Sequence, residues 1–177
     1  MRHRKRTFKI GRTGSHRRAL LANMAKSLIV NDRIETTVTK AKELRRFAER
    51  MITLSKRHTI AAERQAIAKM QVRFNNMGTS SNNKEKINNT LDLLNKIREL
   101  SSKSKRSQED EEKLRALKER FNAIRLNGSV NNDRLVIPTL KILGERFKNR
   151  AGGYTRITRT RNRRGDAADM CILEFLT

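Results

Sequence analysis

Residues 33–56 read RIETTVTKAKELRRFAERMITLSK, and the period of their apolar side chains changes partway. Over 33–38, Ile34, Thr36 and Val38 alternate with polar residues, the pattern of a strand with one covered face. Thr39 can cap a helix. Behind it Ala41, Leu44, Phe47, Ala48, Met51, Ile52 and Ser55 recur at helical spacing and form one stripe. Lys40, Lys42, Arg45, Arg46, Arg50, Lys56 and Arg57 fall mostly outside that stripe, giving the helix a cationic outer face. A strand followed at once by an amphipathic helix needs a second layer to cover both.

Working outward, the flanking segments supply the partners. Ser15 can cap a helix over 15–29 whose Ala19, Leu20, Leu21, Met24, Ala25 and Leu28 share a face, and Asn31-Asp32 makes the turn into the strand. Residues 61–74 read as a further helix. Residues 135–147 read as helix again, with Pro138 either in the first turn or at a kink. GYTRITR (153–159) alternates as a strand, and 160–166 form a basic turn ending in Gly165-Asp166. ADMCILEFL (168–176) is apolar on both faces and must be well covered. The fold class is therefore α/β (α+β): a small two-layer domain of helices on a three-stranded mixed sheet.

Composition shifts between residues 75 and 130. A polar linker, NNMGTSSNNK (75–84), leads to Ile87, Leu91, Leu94 and Ile97 at helical spacing. After SSKSKRS (101–107), acids at 109–112 suit a helix start, and Leu114, Leu117, Phe121 and Ile124 continue it. This reads as an inserted helical hairpin. The expected organisation is a basic N-terminal arm at 1–14, one domain from 15–74 with 131–177, and the insertion at 75–130. The insertion is either a solvent-exposed excursion or a docking arm.

Charge narrows the function. The 177 residues carry 42 Lys and Arg against 18 Asp and Glu, a net charge of +24. Such a surface repels itself, and an extended polyanion relieves the repulsion by giving up condensed counterions. The insertion carries twelve basic and eight acidic residues, so net +20 resides on the other 121 positions. Anionic lipid usually recruits one basic patch, whereas this charge is spread widely. No apolar run approaches a membrane span, and no apolar stretch follows the basic start as in a signal peptide. One Cys excludes an internal disulfide and a cysteine-based zinc site, and suits the reducing cytosol.

The candidate binding residues follow the charge. The first eighteen residues, MRHRKRTFKIGRTGSHRR, hold eight Lys or Arg and no acid. Arg2, His3, Arg4, Lys5, Arg6, Lys9 and Arg12 form an arm able to thread along phosphates, and His16, Arg17 and Arg18 carry the charge into the first helix. A second cluster, Arg156, Arg159, Arg161, Arg163 and Arg164, lies on a strand and its turn, where guanidinium groups offer bidentate phosphate contacts. Tyr154 has two readings, a ring that stacks on an unpaired base or a half-buried strand residue. Signals for catalysis are weak. His3, His16 and His58 have no carboxylate at a suggestive spacing, Asp166 and Asp169 read as structural, and Cys171 sits in a core-like strand. GRTGSH lacks the lysine of a nucleotide-binding loop. No catalytic residue, metal or cofactor is expected.

MRHRK, GRTGSHRRALLANMAKSLI, RIETTVTKAKELRRFAERMITLSK, RAGGYTRI and RRGDAADMCILEF resemble, in order, segments of the bacterial large-subunit ribosomal protein family numbered L-seventeen. The resemblance covers about residues 1–60 and 135–177. It implies a small α/β domain with an N-terminal arm, bound in the cytoplasmic ribosome to large-subunit ribosomal RNA near the mouth of the peptide exit tunnel. It also implies neighbouring ribosomal proteins as partners, and neither a small-molecule substrate nor a membrane. Carried onto this chain, the RNA-facing set is Arg2 to Arg6, His16 to Arg18, Lys40, Lys42, Arg45 and Arg46, with Arg150, Tyr154 and Arg156 in RAGGYTR. Residues 75–130 have no counterpart in the family's usual short form and read as a lineage-specific insertion. The alternative to a ribosomal constituent is a nonspecific nucleic-acid-binding or RNA-chaperone protein.

Overall fold

The computed structural model describes residues 10–72, 81–102, 107–126 and 132–176. Residues 1–9, most of the expected basic arm, lie outside this set, as do 73–80, 103–106 and 127–131 of the connecting segments. In chain order the elements are α1 (Gly14–Asn31), β1 (Arg33–Thr37), α2 (Val38–Ser55), α3 (Ile60–Met70), α4 (Ser81–Ser102), α5 (Gln108–Leu126), α6 (Asn132–Arg146), β2 (Thr155–Asn162) and β3 (Asp169–Phe175).

The α+β reading is borne out, with β1 passing into α2 without a loop. Val38 is the residue where the two periods meet. It completes the alternation of Ile34 and Thr36 and starts the helical stripe that continues through Ala41 and Leu44, all three buried. The helix therefore begins one residue before the expected cap Thr39. Thr37 takes the N-cap position with extended backbone and no side-chain cap bond. α1 likewise starts at Gly14, one residue before Ser15, and the Thr13 carbonyl accepts from the Arg17 N–H at 2.8 Å. At its other end Asp32 adopts a left-handed conformation (φ 60°), and its carbonyl accepts from the Phe175 N–H at 3.0 Å, tying α1 to β3.

The sheet is antiparallel throughout, in the order β1-β3-β2, and this corrects the mixed sheet expected from the sequence. A mixed sheet would arise if β2 lay next to β1, because those two strands run parallel. The strand that is apolar on both faces takes the centre instead, where both of its edges are paired. Cys171, Leu173 and Phe175 of β3 are buried, and Met170, Ile172 and Glu174 are half-buried. Their neighbours match: Thr36 and Arg159 lie opposite Cys171, and Ile34 and Ile157 lie opposite Leu173.

The described residues divide into two compact units, split after Val72 and at Pro138–Thr139. In the first, α2 packs against α1, α3 and all three strands. Its largest fully buried side chains include Leu28, Ile29, Leu44, Met51, Ile52, Leu143, Tyr154 and Leu173, each worth about 1.5–3 kcal/mol on removal from water. Gly144 brings α6 close to the end of α2. Ser55 Oγ donates to the Leu140 carbonyl at 2.7 Å, and a Cβ at 144 would lie 2.6 Å from Ser55 Oγ. In the second unit α4 and α5 pack on each other, and Thr90, Leu94, Leu114 and Phe121 are buried. Ser107 starts α5, its Oγ accepting from the Asp110 N–H at 3.3 Å. Pro138 lies inside α6 beyond its first turn, where it supplies no N–H to the helix. Among the described residues no helix is long and apolar enough to cross a membrane.

Candidate nucleic-acid interface

Burying the apolar stripe of α2 on the sheet forces its cations outward. Lys42, Arg45 and Arg46 are exposed and Lys40 is half-buried. β2 forms one edge of the sheet, and its alternation sets Ile157 and Arg159 on the side of Leu173 and Cys171, which α2 covers. The two elements thus frame a groove of about 380 Å³ lined by Val38, Lys42, Arg45, Arg46, Ile157 and Arg159. Four cations rim it, two aliphatic side chains floor it, and no acid lines it.

The remaining candidates are dispersed. Arg12, His16 and Arg18 are exposed. Arg17 is half-buried and pairs with Glu43 of α2 at 2.5 Å, so it clamps α1 to α2. Arg156 stands on the opposite face of β2 from Arg159, across from Glu174. The second cluster is therefore divided between two faces and a turn. Arg161, at the register irregularity near the end of β2, and Arg164, in the turn that follows, are both exposed. Arg163 is engaged there by both oxygens of Asp166, its Nε donating at 2.9 Å. That guanidinium, with the Ala168 N–H, holds the Asp166 carboxyl at a pKa of about 2, below the ordinary 3.8. Arg2, His3, Arg4, Lys5, Arg6 and Lys9 lie outside the described residues.

Tyr154 is placed in the core, 2% exposed, with its ring 5.1 Å from that of Phe147. A ring buried to that degree presents no face to a base. Its hydroxyl instead lies within hydrogen-bonding distance of the Arg150 and Ala151 carbonyls at 3.2 and 3.3 Å. Lys56 Nζ donates to the Arg150 carbonyl at 2.6 Å and to the tyrosine oxygen at 3.3 Å. Arg150 Nε reaches the Gly152 carbonyl at 3.2 Å, and Gly153 takes φ +64°. RAGGY is thus a turn pinned from beneath, with the Arg150 side chain exposed on it. Lys56, which the sequence marks only as one more cation, does the pinning.

Val38 and Ile157 are the groove residues that sequence reasoning missed. Each period was readable alone. Their juxtaposition depends on β2 taking the edge beside α2, which no local pattern states. Elsewhere, burial pushes the Cys171 thiol up, and its Sγ donates to the Thr36 carbonyl at 3.4 Å. Among the described residues no three His, Cys, Asp or Glu side chains gather as a metal site.

The fold and this surface define a small α+β protein whose helices expose cations around a two-element groove. The family model for ribosomal protein L17 matches residues 20–176, and the chain belongs to that family, whose members are structural ribosomal proteins and not enzymes. The large ribosomal subunit protein bL17 of Protochlamydia amoebophila is 44% identical over 178 residues, covering 100% of this chain and 99% of the relative. The proteins of the same name from Chlamydia trachomatis and Chlamydia pneumoniae are each 42% identical, over 99% of both chains. Because these alignments run nearly end to end, residues 75–130 have counterparts in those relatives.

Proposed function

We propose that this protein is a structural constituent of the large ribosomal subunit, in the bacterial cytoplasm, where it binds ribosomal RNA near the rim of the peptide exit tunnel and stabilises its fold. The observation that carries the reading is the acid-free groove of Lys42, Arg45, Arg46 and Arg159 on a chain whose full-length relatives are named as large-subunit proteins. Residues 1–14 act as a basic arm along RNA, 15–74 with 131–177 as the RNA-binding domain, and 75–130 as a helical insertion. Arg12, His16, Arg18, Arg150, Arg156, Arg161 and Arg164 extend the contact, while Arg17, Arg163 and Tyr154 shape the surface that makes it. Neighbouring ribosomal proteins are its protein partners.

Sedimentation of the tagged chain through sucrose gradients, before and after a high-salt wash, tests this. Near one-to-one, salt-resistant presence in large subunits supports the reading. Release at modest salt, or spread over all nucleic acid, points to a nonspecific binder, whose affinity falls steeply with salt. Deleting 75–130 should leave incorporation largely intact.

A further inference from the structure

The α2–β2 groove has features that phosphate binding does not require. A phosphate needs donors and positive charge, and the four rim cations supply both. An aliphatic floor between them adds nothing to a phosphate contact and would strip water from an anion pressed onto it. Val38 and Ile157 provide such a floor. β2 is also an edge strand, and edge strands direct main-chain N–H and C=O groups away from their partner. A phosphate can use only the N–H groups, whereas the hydrogen-bonding edge of a base can use both. The groove's 380 Å³ lies within the range of about 300–1,000 Å³ usual for small-ligand clefts. Guanidinium planes can stack on bases as well as bind phosphate.

We infer that this groove receives one unpaired RNA base. The base lies against Val38 and Ile157, and its flanking phosphates engage Lys42, Arg45, Arg46 and Arg159. Aromatic residues make up only 4% of the chain and the single tyrosine is buried. The base therefore rests on aliphatic and guanidinium surface. The site would select a bulge or an unpaired loop nucleotide, where a purely electrostatic surface would accept any duplex. This rests on the RNA-binding reading and narrows it.

The test uses the full chain and two RNA probes: a fully paired hairpin, and the same hairpin with a single bulged 2-aminopurine. The wild type should bind the bulged probe more tightly by about fivefold, the lower limit of what a base gains on an aromatic ring because this floor is aliphatic, and the fluorescence of the 2-aminopurine should change on binding. Ile157→Thr keeps the β-branched shape suited to a strand but makes the floor polar. It should bring the bulged probe close to the paired one and suppress the fluorescence change, while a circular dichroism spectrum and cooperative thermal unfolding like those of the wild type report an intact fold. Arg46→Ala should weaken both probes together. Equal affinity of the wild type for the two probes, or an unchanged 2-aminopurine signal, overturns the base site and leaves RNA binding standing. Failure to bind either probe overturns both.

Discussion

Among single residues, three side chains that read as RNA contacts, Arg17, Tyr154 and Arg163, do structural work. The Tyr154 hydroxyl sits against two carbonyls of the RAGGY turn and accepts from Lys56. Tyr154→Phe leaves those groups short of a partner and should cost about 1 kcal/mol, measured as a lower urea midpoint with an unchanged slope. Tyr154→Ala empties the contact with Phe147 as well and should cost about 3–5 kcal/mol. Asp166 illustrates a charge used locally. Its folded pKa of about 2 lies below the ordinary 3.8, so its contribution is complete above the unfolded value and is lost as pH falls through about 2. A carboxyl titration by NMR should place the Asp166 midpoint near 2, and Arg163→Ala should return it toward 3.8. An Asp166 that titrates normally in the intact chain would mean that Arg163 does not hold it.

For the elements, close approach decides more than amphipathicity does. α2 carries the first unit because its stripe meets α1, α3 and the sheet together. Its C-terminal end meets α6 at Ser55 and Gly144. Alanine at 144 would gain about 0.5–1 kcal/mol of helix preference over glycine. The new Cβ would, however, lie 2.6 Å from Ser55 Oγ, 3.1 Å from Ser55 Cβ and 3.2 Å from its carbonyl carbon, and backbone cannot swing aside. Gly144→Ala should therefore be net destabilising, by about 1–3 kcal/mol. Ser55→Ala in the same chain should rescue it only in part, because Cβ and the carbonyl carbon remain. Thermal unfolding of the two single variants and the double variant gives the coupling directly.

On the scale of the whole molecule, the proposed function turns on the uneven charge. The insertion holds net +4 and the rest of the chain net +20. Reversing Arg45 and Arg46 to Glu places acid on the groove rim and should sharply lower incorporation into large subunits. Reversing Lys113 and Lys118, exposed on α5, changes net charge by the same amount and should have little effect. Quantitative mass spectrometry of purified subunits distinguishes them. Equal losses would show that total charge, and not this face, governs assembly.

The sequence alone determined each element's type and the buried side of most of them. Period 2 and period 3.6 are set by local backbone geometry, and the change of period at Val38 marks the passage from β1 into α2. It also carried the net charge of +24 on which the proposal of a polyanionic partner rests, because net charge is a sum and needs no coordinates. Only the tertiary structure decided which strand lies in the middle, which face of β2 meets α2, and that Tyr154 is enclosed. Strand order depends on covering β3 from both sides at once, a competition among segments more than a hundred residues apart. For the same reason Lys42 and Arg159, each legible as a cation, became one groove only when the fold set α2 beside the edge of β2.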